Sequence, residues 1–239
     1  MQAIILCGGK GERLGSLTNN CPKGMILIEG KPILEYQIEW LKKHGVKKVI
    51  FACGYAYEKI QEYFENGTKF GIETDYSIEK EQLGRGGALK NAWVKLNKCQ
   101  NVVITNGDIY TELDLTKVIS VHNEKIKQKG IKITISLFPY VSSYGIVLVD
   151  SENLINNFQE KPTLPYWING GVYIFEYEVG EYLPEKGNHE TSTFLQFIRE
   201  KLIYGFRSGD YWKSIETVKD INEFLNYIKD RKQISIKEV

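Results

Sequence analysis

The stretch that most constrains this chain is residues 3–13, Ala-Ile-Ile-Leu-Cys-Gly-Gly-Lys-Gly-Glu-Arg. The apolar run Ala3 to Leu6 predicts a buried first strand, which leads directly into a loop carrying Gly8, Gly9 and Gly11 together with Lys10 and Arg13. Such a loop suits a phosphate. Glycine lets backbone N–H groups approach anionic oxygens closely, and the cations offset the charge of a triphosphate. An ordinary glycine turn fits the spacing equally well; Arg13 and the Pro22-Lys23 pair shift the balance toward an anion. Two familiar glycine signatures are excluded. Position 14 is leucine, so Gly9-x-Gly11 is not completed into a dinucleotide fingerprint, and the loop has no Gly-Lys-Ser/Thr of the Walker type.

With 239 residues, the chain has ample length to bury a core. Its 31 lysines and arginines against 30 acids leave a net charge of +1, which gives no electrostatic reason to expect a nucleic-acid or membrane surface. Small-molecule partners are expected instead. No apolar run approaches the roughly 18 residues of a membrane span, and no basic segment followed by an apolar core opens the sequence, so a cytoplasmic address is expected. Cys7, Cys21, Cys53 and Cys99 are widely spaced and only three histidines are present, which argues for reduced thiols and against a zinc site.

Along the chain, Leu34, Ile38 and Leu41 after Pro32 predict a helix that Gly45 stops. Val46 to Cys53 reads as a strand, Tyr57, Ile60 and Phe64 mark a helix, and Ile72 to Ser77 a strand. A third helix opens around Leu83-Gly84 with Leu89, Ala92, Trp93 and Leu96 on its apolar face. Val102 to Thr105 then forms a strand running into Asn106-Gly107-Asp108. Strands alternating with helices predict an α/β fold with a doubly wound, mostly parallel sheet whose ligand lies at the carboxyl ends of its strands. Beyond Asp108, Ile131 to Phe138, Ile146 to Val149 and Val172 to Phe175 read as strands with little helix between them, a mixed α+β extension of that sheet. Ile221, Phe224, Leu225 and Ile228 predict a closing amphipathic helix with a short charged tail.

At this point the residues resemble the sugar-phosphate nucleotidyltransferases, and among them the guanylyltransferases acting on mannose 1-phosphate and manno-heptose 1-phosphate. The likeness runs from Met1 to about Asp220 and rests on ordered blocks: Leu6-Cys-Gly-Gly-Lys-Gly-Glu-Arg-Leu, Pro22-Lys23, Glu79-Lys-Glu-Gln-Leu-Gly-Arg-Gly-Gly-Ala-Leu, Asn106-Gly-Asp, Tyr144-Gly145, Glu160-Lys-Pro and Asn169-Gly-Gly. The resemblance implies a Rossmann-like fold of the nucleotide-diphospho-sugar transferase type. It also implies one nucleotidyltransferase domain over 1–239: a nucleotide half over about 1–110, a sugar-phosphate half over about 111–217, and a helix and tail over 218–239. The left-handed β-helix domain of many relatives is expected to be absent, since no hexapeptide repeats occur.

The implied reaction is attack by a sugar 1-phosphate oxygen on the α-phosphorus of a nucleoside triphosphate, expelling pyrophosphate. The nucleophile is already an anion, so the work is to hold two polyanions together and neutralise charge. By resemblance Arg13 binds the triphosphate, Lys23 the reacting phosphates, and Asp108 a magnesium ion. Leu6, Gly8, Gly9, Gly11, Glu79, Gly84 and Gly87 complete the nucleotide site, and Gly145, Glu160, Lys161 and Asn169 face the sugar phosphate. Glu79 argues for guanine, because a carboxylate accepts from N1–H and N2–H₂, whereas thymidylyl and uridylyl relatives commonly place glutamine there. Partners are therefore a nucleoside triphosphate and a sugar 1-phosphate, with self-association into a homo-oligomer left open.

The chain departs from the pattern in Tyr211-Trp-Lys-Ser-Ile-Glu216, where relatives carry Asp-Ile-Gly and the aspartate is a second metal ligand. Ser214 takes the aspartate's place, so Asp210 or Glu216 is the candidate substitute. Glu12 replaces the usual threonine of the phosphate loop, and Gly15-Ser16 stands in its usual proline region. Other readings stay open: a dTTP- or UTP-dependent transferase, since some uridylyl relatives also carry acids near Glu79, and, from these departures, a non-catalytic nucleotide-sugar-binding subunit or a choline phosphate cytidylyltransferase. Retention of Arg13, Lys23 and Asp108 argues against the second, and Glu160 with Asn169 against the third.

Overall fold

A computed structural model describes residues 1–19 and 21–237. In chain order its elements are β1 (Gln2–Leu6), β2 (Leu27–Ile28), β3 (Lys31–Pro32), α1 (Ile33–Lys43), β4 (Lys48–Cys53), α2 (Tyr57–Phe64), β5 (Glu73–Ile78), α3 (Gly84–Trp93), β6 (Asn101–Asn106) and β7 (Ile109–Thr111). The second half follows with α4 (Leu115–Lys129), β8 (Ile133–Val141), β9 (Ile146–Val149), β10 (Ile155–Gln159), β11 (Thr163–Glu176), α5 (Thr193–Arg199), β12 (Ile203–Arg207), β13 (Trp212–Ser214) and α6 (Val218–Lys237).

Seven strands form the central sheet in the order β12-β8-β11-β6-β1-β4-β5. β1 lies parallel to both β4 and β6, and β11 alone runs against its neighbours β6 and β8. The chain winds from β1 outward to β5 and then crosses back to β6 on the other side. This reversal is the doubly wound arrangement the alternating pattern predicts, and it puts a crevice beyond the carboxyl end of β1. β1 shows why the run is a strand buried on both faces. Ala3 and Ile5 pack with Leu34, Ile38, Ile60, Phe64, Leu115 and Val118 of α1, α2 and α4. Ile4 turns the other way, onto Leu89, Ala92, Trp93, Phe194 and Phe197 of α3 and α5. A third core joins Leu14 of the glycine loop to Ile26, Ile33, Ile215, Ile221 and Phe224, so α6 closes against the loop region.

The second half corrects the sequence expectation in several places. A helix, α4, fills residues 115–129, where none was expected. The Asp114 carboxylate caps it by accepting from the Lys117 N–H at 3.1 Å, and Gly130 ends it in the left-handed region. Its buried face holds only Leu115, Val118 and His122, too thin a stripe to stand out in the sequence. β11 spans 14 residues rather than the expected four, and β9 pairs with an unanticipated β10. α6 runs to Lys237, and residues 238–239 of the expected tail lie outside the described residues. No helix among the described residues is long and apolar enough to cross a membrane, and all four cysteines are free thiols.

Candidate active site

Three chain segments converge at the crevice, and glycine lets them touch. β1 ends at Leu6, whose carbonyl accepts from the Gly107 N–H at 2.7 Å. A Cβ on Gly107 would sit 2.9 Å from the Cys7 Cβ, and one on Gly24 would sit 2.6 Å from the Leu34 side chain and 3.0 Å from the Gly107 carbonyl. Any side chain at either position would push Lys23, Asp108 and the glycine loop apart. Gln37 of α1 fixes the same turn from below. It is buried, and its Nε2 donates to the carbonyls of Asn106 at 2.7 Å and Ile109 at 2.8 Å.

The result is one cavity of about 580 Å³ lined by Gly8, Gly9, Gly11, Arg13, Lys23, Glu79 and Asp108, together with Lys10, Glu12 and Glu216. A second cavity of about 340 Å³ shares Gly8, Gly9, Glu79 and Asp108 and extends the cleft past Leu6, Gly84, Arg85 and Asn106. The amides of Gly8, Gly9 and Lys10 make no backbone hydrogen bond among the described residues, which leaves them available to a ligand. The next three amides of α3, after Gly84, are not available in this way. Its N–H groups at Arg85, Gly86 and Gly87 are taken by Asn188 Oδ1 and the Gly187 carbonyl.

Both expected phosphate-binding cations, Lys23 and Arg13, are paired with an acid. Lys23 Nζ lies 2.6 Å from Asp108 Oδ2, and Arg13 pairs with Glu216. Ser214 Oγ donates to the other Glu216 oxygen at 3.3 Å. The Ile215 N–H donates to the Asp108 carbonyl at 2.8 Å, tying the Tyr211–Glu216 segment to the metal-candidate turn. Of the two substitutes for the aspartate missing at 214, only Glu216 reaches the cavity. Asp210 is a correction: its carboxylate accepts from Ser208 Oγ at 2.8 Å and the Asp114 N–H at 3.3 Å, at the foot of α4. Asp108 and Glu216 supply hard oxygen donors of the kind magnesium takes. No group of three or more His, Cys, Asp or Glu that could hold an ion is present among the described residues. Such a pair fits magnesium held partly by substrate phosphates, as these ions usually are.

Glu79 stands where both cavities meet. Its N–H donates to the Cys53 carbonyl at 2.8 Å, its Oε2 accepts from the Leu83 N–H at 3.0 Å, and its Oε1 lies against Gly8. Burial pushes its carboxyl above the usual range, and the Leu83 hydrogen bond partly opposes this.

Other expected residues fall elsewhere. Gly87 lines neither cavity. A Cβ there would meet the Glu185 carbonyl at 2.5 Å, so it is a glycine for helix–loop packing. Gly145, Glu160 and Lys161 cluster on the β9–β10 hairpin, with Lys161 Nζ 3.7 Å from Glu160 Oε1, away from the cavity walls. Asn169 is turned to its own strand, donating to Tyr173 Oη at 2.9 Å and accepting from the Gly171 N–H. Sequence reasoning missed Gln37 and Arg85. A glutamine on the apolar stripe of α1 was the available signal for the first. Arg85, paired with Glu190 at 3.1 Å, carried none beyond its place among glycines.

A glycine cradle flanked by cations, at the switch point of a doubly wound sheet, defines a phosphate-binding α/β protein. Comparison with known proteins makes the class specific. The chain belongs to the family described as "Nucleotidyl transferase", whose sequence model matches residues 2–231. It is 38% identical to a D-glycero-alpha-D-manno-heptose 1-phosphate guanylyltransferase of Campylobacter jejuni over 94% of this chain and 99% of the relative. It is 40% identical to one of Aneurinibacillus thermoaerophilus over 90% and 93%. The solved structure of HddC from Yersinia pseudotuberculosis complexed with GMP-PN superposes with a TM-score of 0.72 at 28% identity, covering 95% of this chain and 99% of that one.

Proposed function

We propose that this nucleotidyltransferase joins a nucleoside triphosphate, guanosine triphosphate by preference, to a sugar 1-phosphate of the manno-heptose or mannose type, releasing pyrophosphate. The observation that carries the reading is that Arg13, Lys23 and Asp108 surround a single glycine-lined cavity. An oxygen of the sugar phosphate attacks the α-phosphorus. The new P–O bond forms as the bond to the bridging oxygen breaks, and pyrophosphate leaves with the electron pair. No proton has to be removed from the nucleophile, so a general base is unnecessary. The amides of Gly8, Gly9 and Gly11 and the Arg13 guanidinium hold the triphosphate, and Lys23 neutralises charge at the α-phosphate. Glu79 accepts from guanine N1–H and N2–H₂, with Leu6 and Gly84 beside the nucleoside.

Asp108 and Glu216 would hold magnesium, which supplies charge neutralisation to the phosphate oxygens. For both carboxylates to face an ion, Arg13 and Lys23 must transfer from their present partners to the phosphates. Residues of about 1–110 form the nucleotide half, and about 111–217 the sugar-phosphate half, where Gly145, Glu160, Lys161 and Asn169 meet the acceptor. Consumption of nucleoside triphosphates fits a cytoplasmic address.

The test is a matrix of GTP, UTP, dTTP, CTP and ATP against manno-heptose, mannose, glucose and N-acetylglucosamine 1-phosphates, reading pyrophosphate with and without magnesium. GTP with a manno-configured acceptor and magnesium is expected to be fastest. Equal rates with GTP and UTP would remove the argument from Glu79, and silence in every arm would remove the proposal.

A further inference from the structure

The second cavity has a wall that the function proposed above does not use. Gly145, Glu160 and Lys161 stand apart from this cavity on a two-stranded ribbon, where β8 and β11 continue beyond Phe138 and before Ile168 with the β9–β10 hairpin between them. What the cavity itself offers is Arg85 and Asn106, and neither lines the first cavity. Arg85 is held twice by one loop. Its N–H donates to Asn188 Oδ1 at 3.1 Å, and its guanidinium pairs with Glu190 Oε1 at 3.1 Å, while half of the side chain stays exposed. That loop is seated on α3: the Gly86 N–H donates to the Gly187 carbonyl at 2.8 Å, and a Cβ on Gly86 would lie 2.7 Å from the His189 nitrogen. Glu190 is largely buried, and its Oε2, 3.6 Å from His189 Nδ1, has no hydrogen-bond partner among the described residues. His189 is fully buried and burial pushes its pKa down, so near neutral pH the charge opposite Glu190 is that of Arg85.

We infer that Arg85 is a specificity-determining residue that donates to hydroxyls of the acceptor sugar. Glu190 is its positioning residue, and by neutralising it sets the site for an uncharged ring over one that bears a second anionic group. Placement is the first argument, and it rests on the reaction proposed above. In an in-line displacement the nucleophile enters opposite the leaving group. Gly11 and Arg13, on the side where pyrophosphate leaves, line the first cavity alone; Asp108 lines both; Arg85 and Asn106 line the second alone. The acceptor therefore comes in past Arg85. The same side leads toward Asn169, since the His189 ring packs edge-on to Tyr173 with centroids 5.6 Å apart and Asn169 donates to the Tyr173 hydroxyl at 2.9 Å. Chemistry is the second argument. A hydroxyl both donates and accepts, and the cavity presents guanidinium donors together with Asn106 Oδ1, a buried acceptor with no partner among the described residues. Charge is the third argument. Arg85 is the one cation among the described residues that line this cavity, against Glu79 and Asp108, and Glu190 cancels it. An arginine that receives a carboxylate or phosphate presents a free fork for a bidentate pair, whereas part of this fork is already occupied by an acid.

Steady-state kinetics on the full chain test it, with GTP and two matched pairs of sugar 1-phosphates: mannose against mannuronic acid, and glucose against glucuronic acid. Preference is read as kcat/KM or, for a compound not turned over, as its inhibition constant against the fastest acceptor. Wild type is expected to prefer the neutral member of each pair. Glu190→Gln keeps the shape and an oxygen for Arg85 but removes the neutralising charge, so the preference for the neutral member should fall about tenfold. Arg85→Met keeps the apolar stem and should raise the acceptor KM about tenfold while the GTP KM moves by less than about twofold. Urea midpoints of both variants accompany the kinetics. An unchanged preference in Glu190→Gln, in an active enzyme, overturns this inference and leaves the proposed function standing, because wild-type turnover measures that function separately. A GTP KM that rises in Arg85→Met while the acceptor KM does not assigns Arg85 to the ribose and also overturns it. Variants that lose only stability, with both KM values and the preference intact, make the pair a structural clamp and overturn it too. A wild type silent with every acceptor removes the proposed function and this inference together.

Discussion

The two halves of the central sheet obey different rules, and the difference sits along one strand. The last part of β11, Gly170 to Phe175, is buried and lies against β6, whereas its first part, Thr163 to Asn169, is largely exposed and lies outside the core. On the β6 side β6, β1 and β4 are covered on both faces, and the Asn106–Asp108 turn is pinned by Gln37 and the Leu6 carbonyl. On the other side, the ribbon bearing Gly145, Glu160 and Lys161 has few partners within its own chain. The end of the cleft that we assign to the triphosphate is therefore built in advance, whereas the ribbon side of the end we assign to the acceptor is not. If this contrast holds, substitutions on the pinned side should cut chemistry far more than equivalent changes on the ribbon.

Lys23→Ala provides the largest expected effect. Lys23 is the cation nearest Asp108, and removing it takes positive charge from the reacting phosphates and leaves that carboxylate unneutralised. Loss of one such group lowers kcat by about 10²–10³-fold. Nucleotide affinity should change by less than about tenfold, because Arg13 and the loop amides remain. Pyrophosphate release and nucleotide titration of the same preparation check it. A Lys161→Ala variant as damaging as Lys23→Ala would break the contrast between the two sides.

Glu79→Gln sharpens the same comparison from the base end. Glutamine keeps an oxygen to accept the Leu83 N–H, so the local backbone is retained, but it offers a donor as well as an acceptor to the guanine edge. The rate ratio of GTP to UTP should fall on the order of 10²-fold, read from kcat/KM with each nucleotide. An unchanged ratio would mean that the base is chosen elsewhere.

How much of this was legible in the chain follows the same division. The glycine loop, Asp108 at a strand's end and the alternating helices show in the sequence, because strands buried on both faces are continuous apolar runs and the loops between them carry the glycines. Ser214 and Glu216 were visible as departures, and only the fold decides between Glu216 and Asp210. α4 was hidden because only Leu115, Val118 and His122 of its fifteen residues are buried. The outer half of β11 and all of β10 were hidden because no core enforces a period of two on exposed strands. Gln37 was hidden by its role. Its partners are backbone carbonyls 69 and 72 residues away, and no spacing rule connects them.

Gln37→Leu tests whether the pinning is what prepares the phosphate end. The substitution keeps the shape of the apolar stripe but strips the Asn106 and Ile109 carbonyls of their donor, at a cost of about 1–3 kcal/mol in stability. Asp108 follows within two residues of Asn106, so kcat should fall by about tenfold while GTP affinity is nearly unchanged. Denaturant midpoint and steady-state kinetics measure the two consequences separately. A stability loss with normal kcat would make Gln37 structural only.

The smallest expected effect concerns the base of the ribbon. β8, which projects into the ribbon, is held at its root by Thr134, whose hydroxyl bonds His122 Nδ1 of α4 at 2.8 Å. His122 is fully buried, and desolvation lowers its pKa from 6.5 to about 4. Between those values the unfolded chain binds a proton that the folded chain refuses, so stability is intact above about pH 6.5 and declines as pH falls toward 4. The full gap corresponds to at most about 3 kcal/mol. Burial lowers the pKa of His44 and His189 as well, so the comparison must be made with and without the one group. Urea midpoints at pH 7.5 and pH 5 should differ less in His122→Asn than in the wild type, since asparagine keeps a polar partner for Thr134 without a titrating ring. An equal drop in both proteins would assign the acid sensitivity to the other two histidines and leave the root of the ribbon indifferent to pH.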